Sequence, residues 1–247
     1  MRLSQTRRHW NRLARTDPLW AVLTEPGKRG NRWQVDEFFA NGRHIVAAEL
    51  AGVRARYPAL RTGTALDFGC GVGRLSQALA GHFQSVTGID ISEQMLALAR
   101  THNQQGDRVR YLHNPHPDLR LLPGGSFDFV YSLITLQHME PAYARRYIAE
   151  FVRVAAPGGV IFFQLPATTA SPPRPRPFTL WPDTLARRLW RWTKRQLAIE
   201  PVMEMHAMPR GEVESLLRAA GAEILEVRRH DAAGDRIESW GYLAHKP

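Results

Sequence analysis

Asp67, Gly69, Gly71 and Gly73, followed by Asp90, are the residues of this chain whose types and spacing could do chemistry. Three glycines at alternate positions leave the backbone bare of Cβ atoms, so main-chain N–H groups can approach a ligand closely. The helical pattern starting near Arg74 would turn its positive end to the same spot, worth about 0.3–1 kcal/mol for a bound anion. Asp90 ends the next apolar run, about twenty residues on, where an acid can hold a ribose diol. The chemistry this predicts is recognition of a nucleoside cofactor.

Positioning those residues takes a strand, a tight turn, a helix and a second strand. Periodicity supplies them. Strands over 64–68, 85–90, 109–112, 127–132 and 160–165 alternate with helices over 74–80, 92–102 and 141–154, the second capped by Ser92. Such alternation implies a parallel sheet with right-handed crossovers, whose ligands bind outside the carboxyl ends of the strands. Asp67 with its glycines, Asp90, Asn114 and Ser132 all fall at those ends.

Upstream, a helix over 4–14 is broken at Asp17-Pro18, and a short turn runs on to Leu23. A longer helix over 35–56 carries Val35, Phe38, Phe39, Ile45, Val46, Leu50 and Val53 near a 3.6 spacing and stops before Pro58. Trp33 and Phe39 read as core rather than as an adenine platform. Downstream, residues 171–177 (SPPRPRP) read as an extended connector. A helix over 181–197 follows, with Arg187, Arg188, Arg191, Lys194 and Arg195 on one face. It reads as a lid with a charged outer face, a substrate wall or a membrane contact. A helix over 209–220, closed by Gly221, then leads to a hairpin of strands 222–229 and 240–245.

The dinucleotide fingerprint G-x-G-x-x-G fails in both registers, because Arg74 or Ser76 stands where its third glycine belongs. The pattern instead resembles the first motif of the class I S-adenosylmethionine-dependent methyltransferases, with Asp67 as its leading acid. TGIDIS around Asp90, residues 127–139 (FDFVYSLITLQHM) and residues 154–163 (VAAPGGVIFF) resemble the later motifs of that family in order and spacing. The resemblance runs from about residue 63 to 165. It implies a doubly wound, mostly parallel α/β sheet of seven strands with a C-terminal antiparallel hairpin. An N-terminal helical extension and a helical insertion after the fifth strand complete it. One domain, 1–247, would divide into a helical cap (1–60), a cofactor core (61–165), a lid (166–208) and a terminal helix with hairpin (209–247).

The resemblance also implies the cofactor, S-adenosylmethionine, and most of its contacts. Gly69, Cys70, Gly71 and Gly73 should surround the methionine part, with Asp67 reaching the amino end through hydrogen bonds. Asp90 should take both ribose hydroxyls, with Ile91 beside it, and Asn114 or Asp118 the adenine. Ser132 and Leu133 should face the cofactor through their backbone. His138 stands where the family often has a histidine near the acceptor, and it reads either as a general base or as a cap on the turn before Pro141. His206, with Glu204 nearby, is a second candidate base. His113 and His116 read as surface loop histidines, and no metal is expected.

Composition narrows the classes. At 247 residues and 44% apolar content the chain can bury a full core. No apolar run is long enough to span a membrane, and the first twenty residues carry no secretory pattern. The lone Cys70 excludes an internal disulfide and fits a reducing cytoplasm. The formal charge of +10 is spread along the chain without a basic tail, which argues against nucleic acid as the main partner. The segment 127–139 lacks the Pro-Pro-aromatic stretch that flanks a flipped base in amino-directed nucleic-acid enzymes. The leading expectation is methyl transfer to a small-molecule hydroxyl, of a sugar or secondary metabolite. Transfer to a membrane lipid or quinone, to nucleic acid, or cofactor binding without turnover are the other readings.

Overall fold

The apolar runs of the core become five parallel strands: β1 (Thr64–Phe68), β2 (Ser85–Asp90), β3 (Val109–His113), β4 (Phe127–Ser132) and β5 (Ala155–Pro166). A computed structural model describes them within residues 3–168, 203–234 and 237–247. Two further strands, β6 (Glu223–Arg229) and β7 (Ser239–His245), finish the sheet as antiparallel partners, giving the order β3-β2-β1-β4-β5-β7-β6. The doubly wound, mostly parallel seven-stranded sheet with its terminal hairpin is therefore present.

Alternation along the strands sorts side chains to two faces. Ala65, Phe129, Val160 and Phe162 meet α3 (Val35–Arg56), α4 (Arg74–Leu79) and α5 (Glu93–Thr101) through Val46, Leu50, Leu79 and Leu96. Leu66, Phe68, Ile161 and Phe163 meet α6 (Pro141–Val154) and α7 (Arg210–Ala219) through Ile148, Phe151, Val213 and Leu217. Both faces are covered, so β1 reads as a continuous buried run. Each such Leu, Ile or Phe contributes about 1.5–3 kcal/mol by leaving water.

A third cluster fixes the roof. α1 (Leu3–Thr16) and the short α2 (Pro18–Val22) bring Leu13, Ala14 and Ala21 against Trp33, Phe38, Phe39, Val72 of the glycine loop and Met95 of α5. Asn11 ties α1 down, its Oδ1 accepting from Ser92 Oγ at 2.7 Å. Ser92 in turn caps α5, its Oγ accepting from the Met95 N–H at 3.2 Å. Trp33 and Phe39 are buried in this cluster.

Departures from the periodicity have local causes. β5 starts at Ala155 rather than at 160, because Ala155 already pairs with Phe127 ahead of a register shift and Gly158 and Gly159 bond to Lys246. Val35, counted in the apolar stripe of α3, is exposed at the helix's first turn, ahead of the region its neighbours cover. α1 runs beyond 4–14 at both ends, and α4 stops one residue short of Ala80. The expected connector 171–177 and helix 181–197 lie outside the described residues. Among the described residues no helix is long and apolar enough to cross a membrane.

Candidate functional site

A cleft holding about 910 Å³ of empty space, its solvent-filled mouth included, opens at the carboxyl ends of β1, β2 and β4 and is roofed by α1 and α2. Its floor is the turn after β1. Gly69 sits at φ +77°, and any Cβ there would collide with the Thr135 side chain across the cavity. The Gly69 and Cys70 N–H groups both donate to the Ile89 carbonyl, at 2.8 and 3.1 Å, and Gly73 N–H donates to Cys70. Gly71 N–H goes to Asp90 Oδ2 at 2.9 Å. The turn's own N–H groups are thus largely used in holding it shut. What it offers a ligand is bare, close-approaching backbone.

Asp90 is the polar centre of this floor. One carboxylate oxygen accepts from Gly71 N–H and the other from Ser92 N–H at 2.8 Å. Burial raises its pKa above the ordinary carboxylate value, opposed by those backbone bonds. Each oxygen keeps a further lone pair, enough for two hydroxyl donors.

Asp67 lies under the floor rather than in it. It is buried, does not line the cavity, and accepts from Ser76 Oγ at 2.6 Å, fastening α4 to β1. Burial lifts its pKa from 3.8 to about 6, against that bond and the Arg74 charge. The folded state holds the proton more tightly than the unfolded chain. That stabilisation is complete below the unfolded value and is lost as pH rises through about 6, a cost of roughly 3 kcal/mol once Asp67 ionises. Asp67→Asn, which can still accept from Ser76, is therefore expected to raise the thermal midpoint more near pH 8 than near pH 5. Equal shifts in calorimetric scans at the two pH values would contradict this account.

Arg74 is a cavity residue that the sequence pattern did not single out. Its side chain is almost fully buried, its Nη1 donates to Asn41 Oδ1 at 2.6 Å, and its Nε has no partner. The guanidinium lies over the Phe38 ring, 5.6 Å from its centroid, and burial lowers its pKa to about 10. It stays charged at neutral pH without a carboxylate in ion-pair reach among the described residues. A buried cation left short of a partner is costly.

The far end is built by Ile91, Asn114 and Tyr147. Asn114 lines the cavity, while its amide already bonds the Asp118 carbonyl and the His116 N–H. The Asp118 carboxylate turns away to Arg120 at 2.7–2.8 Å, which holds its pKa down to about 2. Gly73 and Ser132 support from behind: Gly73 lies against Tyr111, and Ser132 Oγ donates to the Phe68 carbonyl at 3.0 Å. Among the described residues no group of three His, Cys, Asp or Glu is placed to hold a metal ion.

Opposite Asp90 the wall is formed by Leu133, Ile134, Thr135, His138 and Met139, with Thr6 and Trp10 descending from α1. Ile134 sits at φ +56°, a left-handed conformation that costs a β-branched residue about 1–3 kcal/mol. His138 Nδ1 lies 2.8 Å from the Glu204 carbonyl, which can only accept, so Nδ1 carries the proton and Nε2 the lone pair. Burial lowers the His138 pKa below 6.5, the Glu204 bond opposes this, and nearby His206 adds to it. The Trp10 ring meets the imidazole edge-on at 5.3 Å. His206 does not line the cavity. Its Nε2 faces Glu204 Oε2 at 3.2 Å, and its N–H donates to the Gln137 carbonyl, pinning the turn that carries His138.

Comparison with known proteins agrees with this geometry. The family model described as a methyltransferase domain matches residues 65–159. The ubiquinone biosynthesis O-methyltransferase of Aromatoleum aromaticum is 40% identical over 100 residues, 40% of this chain and 42% of the relative. Its namesake from Bordetella avium is 38% identical over 133 residues, 53% of this chain and 54% of the relative. The chain thus spans about half the length of the curated relatives it matches. Among solved structures, magnesium protoporphyrin IX methyltransferase from Synechocystis with bound S-adenosylhomocysteine superposes with a TM-score of 0.64 at 20% identity, covering 99% of both chains. An S-adenosylmethionine-dependent methyltransferase from Mesorhizobium loti gives 0.58 at 24% identity, covering 81% of this chain and 98% of its own.

Proposed function

We propose that this chain, whose residues 65–159 match the methyltransferase-domain family model, is a class I S-adenosylmethionine-dependent methyltransferase that methylates a ring hydroxyl of a quinone-type aromatic precursor. The observation that carries this reading is a single cavity joining the Asp90 carboxylate to a neutral His138 with an unprotonated Nε2. The apolar and aromatic wall of Leu133, Ile134, Met139 and Trp10 suits a flat, hydrophobic acceptor better than a sugar. The names of the relatives favour the same acceptor class. A buried free Cys70 suits the cytoplasm.

The residues present fit the cofactor. Asp90 would take the ribose diol, the Cβ-free turn would lie against the methionine part, and the Arg74 guanidinium, whose Nε has no partner, would take its carboxylate. When bound, S-adenosylmethionine supplies a methyl group on a sulfonium whose leaving group is a neutral thioether. Asp90, Arg74 and the floor of the cavity orient, and the α1 roof keeps water out. His138 Nε2 receives the proton that the acceptor hydroxyl must lose.

Arg74→Met is expected to weaken S-adenosylhomocysteine by roughly 10- to 100-fold, the loss of a charge-assisted bond. Methylthioadenosine, which lacks the carboxylate, should bind the variant within about twofold of the parent. Equal losses for both ligands in calorimetry would remove Arg74 from this role. The acceptor class is tested by mass spectrometry of short-chain hydroxylated quinone precursors incubated with protein and S-adenosylmethionine. Methylation of a sugar but of no ring hydroxyl would sink it.

A further inference from the structure

A line of buried amides runs from β7 to the imidazole of His138. Gln164, on β5, and Gln137, beside His138, are both almost fully buried. Gln164 Oε1 accepts from the Ile134 N–H at 3.1 Å. A backbone N–H can only donate, so this bond fixes the Gln164 amide with its NH₂ pointing the other way. That NH₂ donates to Gln137 Oε1 at 3.2 Å and to Ser239 Oγ. Gln137 is fixed in turn, and its NH₂ faces His138 Nε2 at 3.4 Å. A donor there requires Nε2 to be the acceptor. From the other side, the Glu204 carbonyl requires Nδ1 to be the donor. Two chains of reasoning that start at different backbone groups give the same tautomer.

We propose that Gln164 is a positioning residue for His138: through the Gln137 amide it holds the imidazole with its Nε2 lone pair open to the acceptor's proton. The inference rests on the reading of His138 as the proton acceptor. The 3.4 Å bond from Gln137 is long, so an incoming hydroxyl can displace it at small cost. The same amide disfavours protonation of Nε2 in the resting protein, because a second donor would then face Gln137's own NH₂. Gln164 also holds Ile134 in its left-handed conformation, which ties the shape of the cavity wall to the state of the base. The charged groups packed around His138 are His206 and its partner Glu204, on the segment preceding α7, while α1 presents the uncharged Trp10 ring.

The test is a ¹⁵N-histidine NMR titration of the full chain, alone and saturated with S-adenosylhomocysteine, comparing the parent with Gln164→Met and Gln137→Met. In the parent, His138 should appear as the Nδ1–H form. In Gln164→Met the Gln137 amide is free to turn its carbonyl to a protonated Nε2, and the proton affinity of His138 should rise about three- to tenfold. Gln137→Met should give a smaller rise, since it removes the opposing donor without supplying an acceptor. A role confined to packing would lower the unfolding temperature of these variants and leave the titration where it was. An Nε2–H form in the parent overturns the proposal, and so does an unmoved titration in a folded Gln164→Met protein. Should that variant fail to fold, the parent tautomer and the Gln137→Met titration decide. None of these readouts needs a methyl acceptor, so a failed search for one leaves this result legible on its own.

Discussion

Asp90→Ala is expected to weaken S-adenosylhomocysteine binding by roughly 10²- to 10⁴-fold, the largest effect of any single substitution in the floor of the cavity. Two hydroxyl donors to one carboxylate contribute about 1.5–3 kcal/mol each. The alanine loses more than those contacts. Asp90 bridges Gly71 N–H at the glycine turn and Ser92 N–H at the start of α5, so its removal frees the turn as well as the ligand. Asp90→Asn should fall between, because its amide can accept on one side only and must turn an NH₂ toward one of those two N–H groups. Methylthioadenosine separates the diol from the carboxylate end of the site. It should lose affinity in Asp90→Ala and keep it in Arg74→Met, since it has the ribose and lacks the amino acid. Calorimetry on protein with an intact unfolding transition checks both. An S-adenosylhomocysteine affinity within about threefold of the parent would take Asp90 out of the site.

The contrast between Asp90 and Arg74 also marks what could be read from sequence. Asp90 ends an apolar strand, a purely local signal, and both its strand and its place at the cavity follow from that. Residues 35–56 are likewise local: amphipathic spacing sets the helix and Pro58 follows its end. Arg74 looked like the first residue of a helix and nothing more. Its burial depends on Asn41 and Phe38, more than thirty residues earlier in the chain, on a helix whose packing no periodicity gives. Gln164 is a polar residue inside a strand that reads as apolar. Its meaning appears only when Ile134 and Gln137 of the turn after β4 and Ser239 of β7 are brought around it from two other segments. The left-handed turn at Ile134 contradicts local preference outright, which is where tertiary contacts outweigh propensity. Asn114, the residue at the expected adenine position, and its alternative Asp118 are separated by the short Asp118–Arg120 pairing that turns the Asp118 carboxylate outward.

His138→Ala is expected to lower kcat by roughly 10²- to 10⁴-fold, the usual contribution of a positioned base, with S-adenosylhomocysteine affinity within about twofold of the parent. The pH dependence follows from the direction of its shift. Burial holds the His138 pKa below 6.5, so the imidazole is neutral and able to accept a proton at and above neutral pH. The acid limb of the kcat profile should therefore lie below the ordinary histidine range and vanish in His138→Ala. His206→Ala should cost less than about tenfold, because His206 touches the turn and not the cavity. Its removal relieves a nearby positive charge on His138 and should move the acid limb upward, toward 6.5. A His138 variant that keeps full kcat and an unchanged acid limb would mean that the hydroxyl loses its proton to water or leaves already ionised. The histidine would then be only the hinge of the turn before Pro141.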